Sequence, residues 1–165
     1  MTDDRPQNGG RNDGHVFEYT QITEQIFVGS DFCKGGVCLI HGEEFKKLGV
    51  TVEINLSEED NELPPKTGMD SYTWLPVHDG DAPTQQQLAM GTCLVDTSVN
   101  NGLKVYVHCR NGHARSPSLI AGYLVKYGKV GSLGEAYKLI SEKRPESHIE
   151  ETQMKALEKF VVNSK

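Results

Sequence analysis

A chain of 165 residues is long enough to bury one core and short for two. Its formal net charge of −6 argues against a general nucleic-acid surface or a footing on anionic membrane, so any positive potential must be local. No apolar run approaches the length of a membrane span, and the N-terminus lacks the basic-then-apolar order of a secretory signal, so a cytoplasmic protein is expected.

Residues 1–14 are Asp, Asn, Gly, Arg and Gln with almost nothing apolar, a composition that stays disordered. One folded domain is expected over 15–165. Phe17 and Tyr19, Ile22, then Ile26-Phe27-Val28 ahead of Gly29-Ser30 predict two short strands joined by a turn. Between Asp31 and Ile40 the pattern supports a loop with one helical turn. Glu43 to Leu48 predicts a short helix stopped by Gly49, and Val50 to Leu56 a strand running straight on. Glu58 to Asp70 is charged and carries Pro64-Pro65, a surface excursion, and Ser71 to Val77 gives the next strand. Thr84 and Gln87 form a capping box, and Leu88, Gly91, Val95 and Val99 follow at spacings of three and four, predicting a helix of about sixteen residues.

After the turn pair Asn101-Gly102, Leu103 to Val107 has the β-branched and aromatic make-up of a buried strand. Leu119, Ile120, Tyr123, Leu124 and Tyr127 then recur at helical spacing, with Ser116 as cap, Pro117 at the first helical position and Gly128 at the close. Two more helices follow. Ser132 to Glu135 caps one with an apolar face of Leu133, Ala136, Tyr137 and Ile140; Ser147 to Glu150 caps the other, with Met154, Leu157 and Val161 as its stripe. Strand, helix, strand requires parallel pairing through a right-handed crossover. The fold class is α/β: a single domain with a central, mainly parallel twisted sheet flanked by helices, and a Cys loop between a strand and a helix.

The four cysteines, Cys33, Cys38, Cys93 and Cys109, have no disulfide-framework spacing, which suits a reducing compartment. Cys33 and Cys38, with His41 following, lack the fourth ligand and tight pairing of a structural zinc site, so no metal is expected. Cys93 reads as a small core residue on its helix.

The chemistry concentrates in His108-Cys109-Arg110-Asn111-Gly112-His113-Ala114-Arg115-Ser116-Pro117. A tight loop between a strand and a helix aims backbone N–H groups and the positive helix end at one point, which suits a phosphate. Cys109 opens that loop, so the same dipoles and the returning Arg115 favour its thiolate, the nucleophilic form, and hold its pKa below the free value of about 8.5. The planar fork of Arg115 can grip two phosphate oxygens. Ser116 is placed to donate to the sulfur, and Gly112 lets the chain turn with no side chain in the cradle.

His-Cys, five residues, then Arg-Ser, with Gly three after the Cys, resembles the signature of the cysteine-dependent protein tyrosine phosphatase superfamily, most closely the dual-specificity phosphatase group. The resemblance implies hydrolysis of phosphate monoesters through a phosphocysteine intermediate, with Cys109 as nucleophile and phosphate held by Arg110, Asn111, Gly112, His113, Ala114 and Arg115. It also implies a general acid on an upstream loop. Trp74 to Pro83 supplies carboxyls there: Asp79, four before Pro83, matches the family's acid loop, and Asp81 is its rival, since a loop rich in Asp and Gly carries carboxylates as turn formers too. Asn55 resembles a residue that braces the phosphate loop, although an ordinary strand-end Asn fits the position equally. His108 has a supporting place, Arg144-Pro145 resembles the step into the final helix, and 58–70 lies where relatives shape the pocket rim.

A phosphorylated protein is the expected substrate, phosphotyrosine first and phosphoserine or phosphothreonine after it, turned over by a monomer without a cofactor. Arg110 and His113 pull toward a second reading, because lipid-directed relatives carry basic residues at these positions; the expectation is that both turn outward to water. A non-catalytic phosphate-binding module is a third reading. Another class is thiol chemistry of the sulfurtransferase or arsenate-reductase kind: a sulfurtransferase has no use for Asp79, and the low-molecular-weight phosphatases with their arsenate-reducing relatives carry their loop at the start of the chain, whereas this one lies two-thirds along it.

Overall fold

The computed structural model describes residues 18–31, 33–34, 37–38, 42–61 and 68–163; the expected N-terminal tail and His41 lie outside them. The elements run β1 (Tyr19–Gln21), β2 (Ile26–Gly29), β3 (Cys33–Lys34), β4 (Val37–Cys38), α1 (Glu43–Leu48), β5 (Val50–Ser57), β6 (Ser71–Val77), α2 (Gln85–Asn100), β7 (Lys104–His108), α3 (Arg115–Lys126), α4 (Leu133–Lys143) and α5 (Glu151–Val162). Five strands form one sheet in the order β1-β2-β7-β5-β6. β7 lies parallel between β2 and β5, β6 runs parallel along the outer side of β5, and β1 closes the far edge antiparallel to β2. The expected α/β fold with a mainly parallel sheet is the one observed. The β6–α2–β7 crossover passes over β5, so the strands it joins are parallel but not neighbours.

The two-residue alternation of the strands sorts their side chains onto opposite faces. Ile26, Val28, Val52, Ile54, Val105 and Val107 join Leu88, Val95, Leu119, Ile120, Ile140 and Leu157 in the main core, under α2, α3, α4 and α5. On the other face Phe27, Tyr106 and Val50 pack against Phe45 of α1. Val50 and Val52 face opposite ways despite their spacing because the β5–β7 register shifts between them. α3 runs through the middle of the helical layer, against α2, α4 and α5. Its residues from Arg115 to Leu124 are all buried, and truncating a fully buried Ile or Leu such as Ile120 to Ala costs about 2–5 kcal/mol. The cradle helix is therefore anchored along its whole first half.

Several local expectations are corrected. Where a loop with one helical turn was expected, the described residues between 31 and 40 include the antiparallel strand pair β3–β4, with Cys33 opposite Cys38. Cys93 is exposed: the buried face of α2 is Leu88, Gly91, Thr92, Val95 and Ser98, which turns position 93 outward. α3 starts at Arg115 with Ala114 as its N-cap, so Ser116 and Pro117 sit inside the first turn. The last helix is capped by Glu150 through a reciprocal box with Gln153, three residues after Ser147. At α4 only half the box forms: Ser132 Oγ accepts from the Glu135 N–H, while Glu135 takes the Gly131 N–H instead. The Thr84–Gln87 box of α2 is complete, and the helix has its expected sixteen residues.

Candidate active site

The cradle leaves the C-terminal end of β7, the central strand of the five, and turns through residues 109–114 into α3. Gly112 makes the turn at φ 70°. A Cβ there would come within 2.5 Å of the Gly29 carbonyl, so the end of β2 presses on the loop from outside and only glycine fits between. No side chain caps α3, which leaves its first N–H groups directed to the cavity.

Cys109 is buried at the floor of a cavity of about 110 Å³ lined by Asp79, Cys109, Asn111, His113, Ala114, Arg115 and His148. The Gly112 N–H donates to its Sγ at 3.2 Å, and Ser116 Oγ lies 3.4 Å from it. Burial pushes the thiol up. The Arg115 charge, the hydroxyl and N–H of Ser116 and the N–H of Gly112 outweigh burial and hold the thiol below its ordinary value. That direction is the one a nucleophile needs.

Arg115 is buried beside it and held from two sides. Its Nη1 donates to Glu59 Oε2 at 2.8 Å and to the Val77 carbonyl at 2.7 Å, and its Nη2 donates to Glu59 Oε1 at 2.9 Å. Burial alone would raise the Glu59 carboxyl; the Arg115 fork, with backbone and Ser57 hydrogen bonds, brings it down to about 2. Two parallel N–H···O bonds fix the plane of the fork as well as its position. Glu59 was not among the residues expected at the site. The only signal available in the sequence was that a buried guanidinium requires a carboxylate, with nothing to say which one.

The loop after β6 carries the candidate acid. Asp79 Oδ1 lies 3.5 Å from Arg115 Nη2, and the side chain is largely exposed at the mouth of the cavity. Asp81 contributes no side chain to the lining. Its carbonyl instead accepts from Gln153 Nε2, and the Gly80 carbonyl accepts from Thr152 Oγ1, so the start of α5 holds the loop by its backbone. Between the two rivals, geometry brings Asp79 to the cavity and uses Asp81 as a turn.

The remaining predicted residues divide. Asn111, His113 and Ala114 line the cavity. His113 is half-buried, with Nε2 4.0 Å from Glu18 Oε1, so it does not turn out to water. Arg110 is half-buried too and lies outside the lining, where its charge acts on the carboxyl of Asp60. His108 is fully buried with Nε2 2.8 Å from Glu53 Oε1, tying β7 to β5 just before the nucleophile. Asn55 lies opposite His108 in the β5–β7 register, but its side-chain hydrogen bonds go elsewhere: its Nδ2 donates to the Asp60 carbonyl and to Tyr72, and its Oδ1 accepts from the Ser57 N–H. It braces the segment that carries Glu59, one step removed from the expected role. His148, not foreseen, lines the cavity, and its backbone N–H donates to the His113 carbonyl.

A thiol lowered by an arginine, at the foot of a helix whose first amides are uncapped, can attack a tetrahedral anion that the arginine grips. That architecture is the one on which the cysteine-dependent tyrosine phosphatase superfamily is built. Residues 34–162 match the model of the dual specificity phosphatase, catalytic domain, and the chain belongs to that family. It is 27% identical over 128 residues to Putative tyrosine phosphatase 123R of Invertebrate iridescent virus 6, covering 77% of this chain and 80% of that protein. It is 28% identical over 147 residues to Phosphatidylglycerophosphate phosphatase PTPMT2 of Arabidopsis thaliana, covering 86% and 62%. Other relatives are much longer, and the chain spans 48% of one and 10% of another. PTPMT1 in complex with PI(5)P superposes with a TM-score of 0.77 at 22% identity, covering 88% of this chain and 96% of that one, a likeness of fold. No helix among the described residues is long and apolar enough to cross a membrane.

Proposed function

We propose that the chain hydrolyses phosphotyrosine, and more slowly phosphoserine and phosphothreonine, in protein substrates through phosphocysteine. The Cys109 thiolate attacks phosphorus as the bond to the leaving oxygen breaks, and Asp79 gives that oxygen its proton. Asp79, now a carboxylate, takes a proton from the water that attacks phosphocysteine, and the sulfur departs as thiolate beside Ser116 Oγ and the Gly112 N–H. Arg115 holds two phosphoryl oxygens throughout. The observation that carries this reading is the convergence on one sulfur of Arg115, Ser116 and the Gly112 amide. The proposed reaction draws on no metal or cofactor; a thiolate nucleophile suits a reducing compartment, and the reading is of a monomer acting in the cytoplasm.

The rim supports a protein substrate over an anionic lipid surface. Glu58, Asp81 and Glu150 are exposed beside residues of the site, Glu58 against His78, Asp81 two positions after Asp79 and Glu150 against His148, and the two lining histidines each face a carboxylate, His113 toward Glu18 and His148 toward Glu150. Such a rim repels an anionic bilayer and favours basic side chains beside the phosphate. Steady-state rates on phosphotyrosine peptides with lysine or arginine flanks, beside a short-chain soluble phosphoinositide, test it. The peptide is expected to lead in kcat/KM by about tenfold or more. A lead for the phosphoinositide overturns the substrate, and no phosphate release from any aryl phosphate overturns the chemistry.

A further inference from the structure

Among the described residues, the mechanism leaves one buried cation unused. Arg144, the residue at which α4 ends, has a fully buried side chain that turns back beneath the cradle. Its Nε donates to the Gly112 carbonyl at 2.8 Å and its Nη2 to the Asn111 carbonyl at 3.1 Å. The outer edge of the fork is occupied as well: Nη1 reaches Thr20 Oγ1 at 3.1 Å and Glu146 Oε1 at 2.9 Å, and Nη2 reaches Glu18 Oε1 at 3.1 Å. Two carboxylates, Glu18 and Glu146, thus offset its charge, so Arg144 offers nothing to a substrate, and its inner edge, Nε and Nη2, faces the loop.

A loop whose N–H groups turn inward to an anion must turn its carbonyls outward, and buried carbonyls need donors. Arg144 serves two of them at once. The Asn111 carbonyl belongs to the same peptide unit as the Gly112 N–H, which is the amide that donates to Cys109 Sγ. A cation on the oxygen of a peptide polarises it and strengthens the bond its N–H makes, by about 10–30% per bond in a chain. The space is also filled: a Cβ on Gly112 would lie 2.9 Å from Arg144 Nη2, so guanidinium and loop are in direct contact with nothing between.

We propose that Arg144 is a positioning residue for the reaction, its buried guanidinium fixing the Asn111 and Gly112 carbonyls outward so that the Gly112 amide is held against the Cys109 sulfur. It rests on the reading of Cys109 as nucleophile, and it touches neither substrate nor the reacting atoms. Glu18 and Glu146, with Thr20, hold Arg144 in that plane.

The test is the pH dependence of Cys109 alkylation by iodoacetamide in the full chain, without substrate, for wild type, Arg144→Met and Arg144→Lys. Because no turnover is read, a failure of the proposed function leaves this measurement intact. Arg144→Met is expected to raise the apparent thiol pKa by about one unit, and Arg144→Lys to recover part of that, since one ammonium keeps the charge but cannot span both carbonyls. On a substrate the acidic limb of kcat/KM should move with the thiol, whereas a loss of folded protein lowers activity at every pH without moving the limb. A folded Arg144→Met with the wild-type alkylation profile overturns the proposal. If that variant does not fold, a wild-type profile in Arg144→Lys overturns it equally.

Discussion

Glu59→Gln isolates what the carboxylate behind Arg115 contributes. The substitution keeps the shape but replaces a charged pair of hydrogen bonds, at 2.8 and 2.9 Å, with at most one neutral bond, leaving a buried guanidinium with the Val77 carbonyl and a more distant Asp79. Charge-assisted bonds contribute about 1.5–3 kcal/mol each when sheltered. Glu59 is partly open to water, which screens the pair, so a loss of about 2 kcal/mol in total is expected, or roughly 5 °C in Tm for a domain of this size. The loss depends on pH in a fixed sense. The Glu59 carboxyl is depressed to about 2 from an ordinary 4.5, so its stabilisation is fully present above about 4.5 and disappears as pH falls toward 2. Urea unfolding of wild type and variant between pH 7 and pH 3 reads this directly: the two stabilities should converge on acidification. A gap that stays constant over that range, or no gap at pH 7, refutes the account of Arg115 as a cation held in place by Glu59.

Asp79→Asn should slow turnover by about 10²–10⁴-fold, most for poor leaving groups, while Asp81→Asn leaves the rate near wild type; the reverse pattern in steady-state kinetics transfers the acid role to Asp81. Cys109→Ser should release no phosphate and still protect against heat when phosphate is added, and a measurable rate removes the covalent intermediate. Gly112→Ala combines a left-handed φ of 70° with a Cβ 2.5 Å from the Gly29 carbonyl and should cost about 2 kcal/mol or more, seen as a lowered unfolding midpoint with a weakened response to phosphate. The His78 ring, 2.9 Å from Glu58, should titrate above its usual 6.5 because of the hydrogen bond to that carboxylate and its charge; an NMR titration in Glu58→Gln should return it toward 6.5, and an unchanged midpoint refutes the pairing.

The cradle was legible in the sequence because its chemistry is local: nucleophile, turn glycine and arginine lie within seven consecutive residues, and the strand and helix on either side follow from period alone. The reach of α2 was legible for the same reason, since a capping box is a contact across three residues. Glu59 and Arg144 were not. One meets Arg115 across 56 positions and the other meets the loop across 32; the resemblance put 58–70 at the pocket rim and Arg144 at the step into the last helix, but nothing local named the partner of either. Asn55 shows the same limit from the other side: its position suggested the phosphate loop, and folding gave it Ser57 and Asp60 instead. Cys93 was misplaced because α2 buries small and polar residues, Gly91, Thr92 and Ser98, so its inner face does not stand out by hydrophobicity.

The two halves of the chemistry stand on unequal ground. The sulfur follows a strand hydrogen-bonded on both sides, whereas the acid follows β6, which has a neighbour on one side only. Displacing the first means tearing a ladder on each flank; displacing the second disturbs a single seam and a few side-chain ties to α5. Adaptation to a new leaving group therefore has a cheap route, through the outer wall, that leaves the floor untouched.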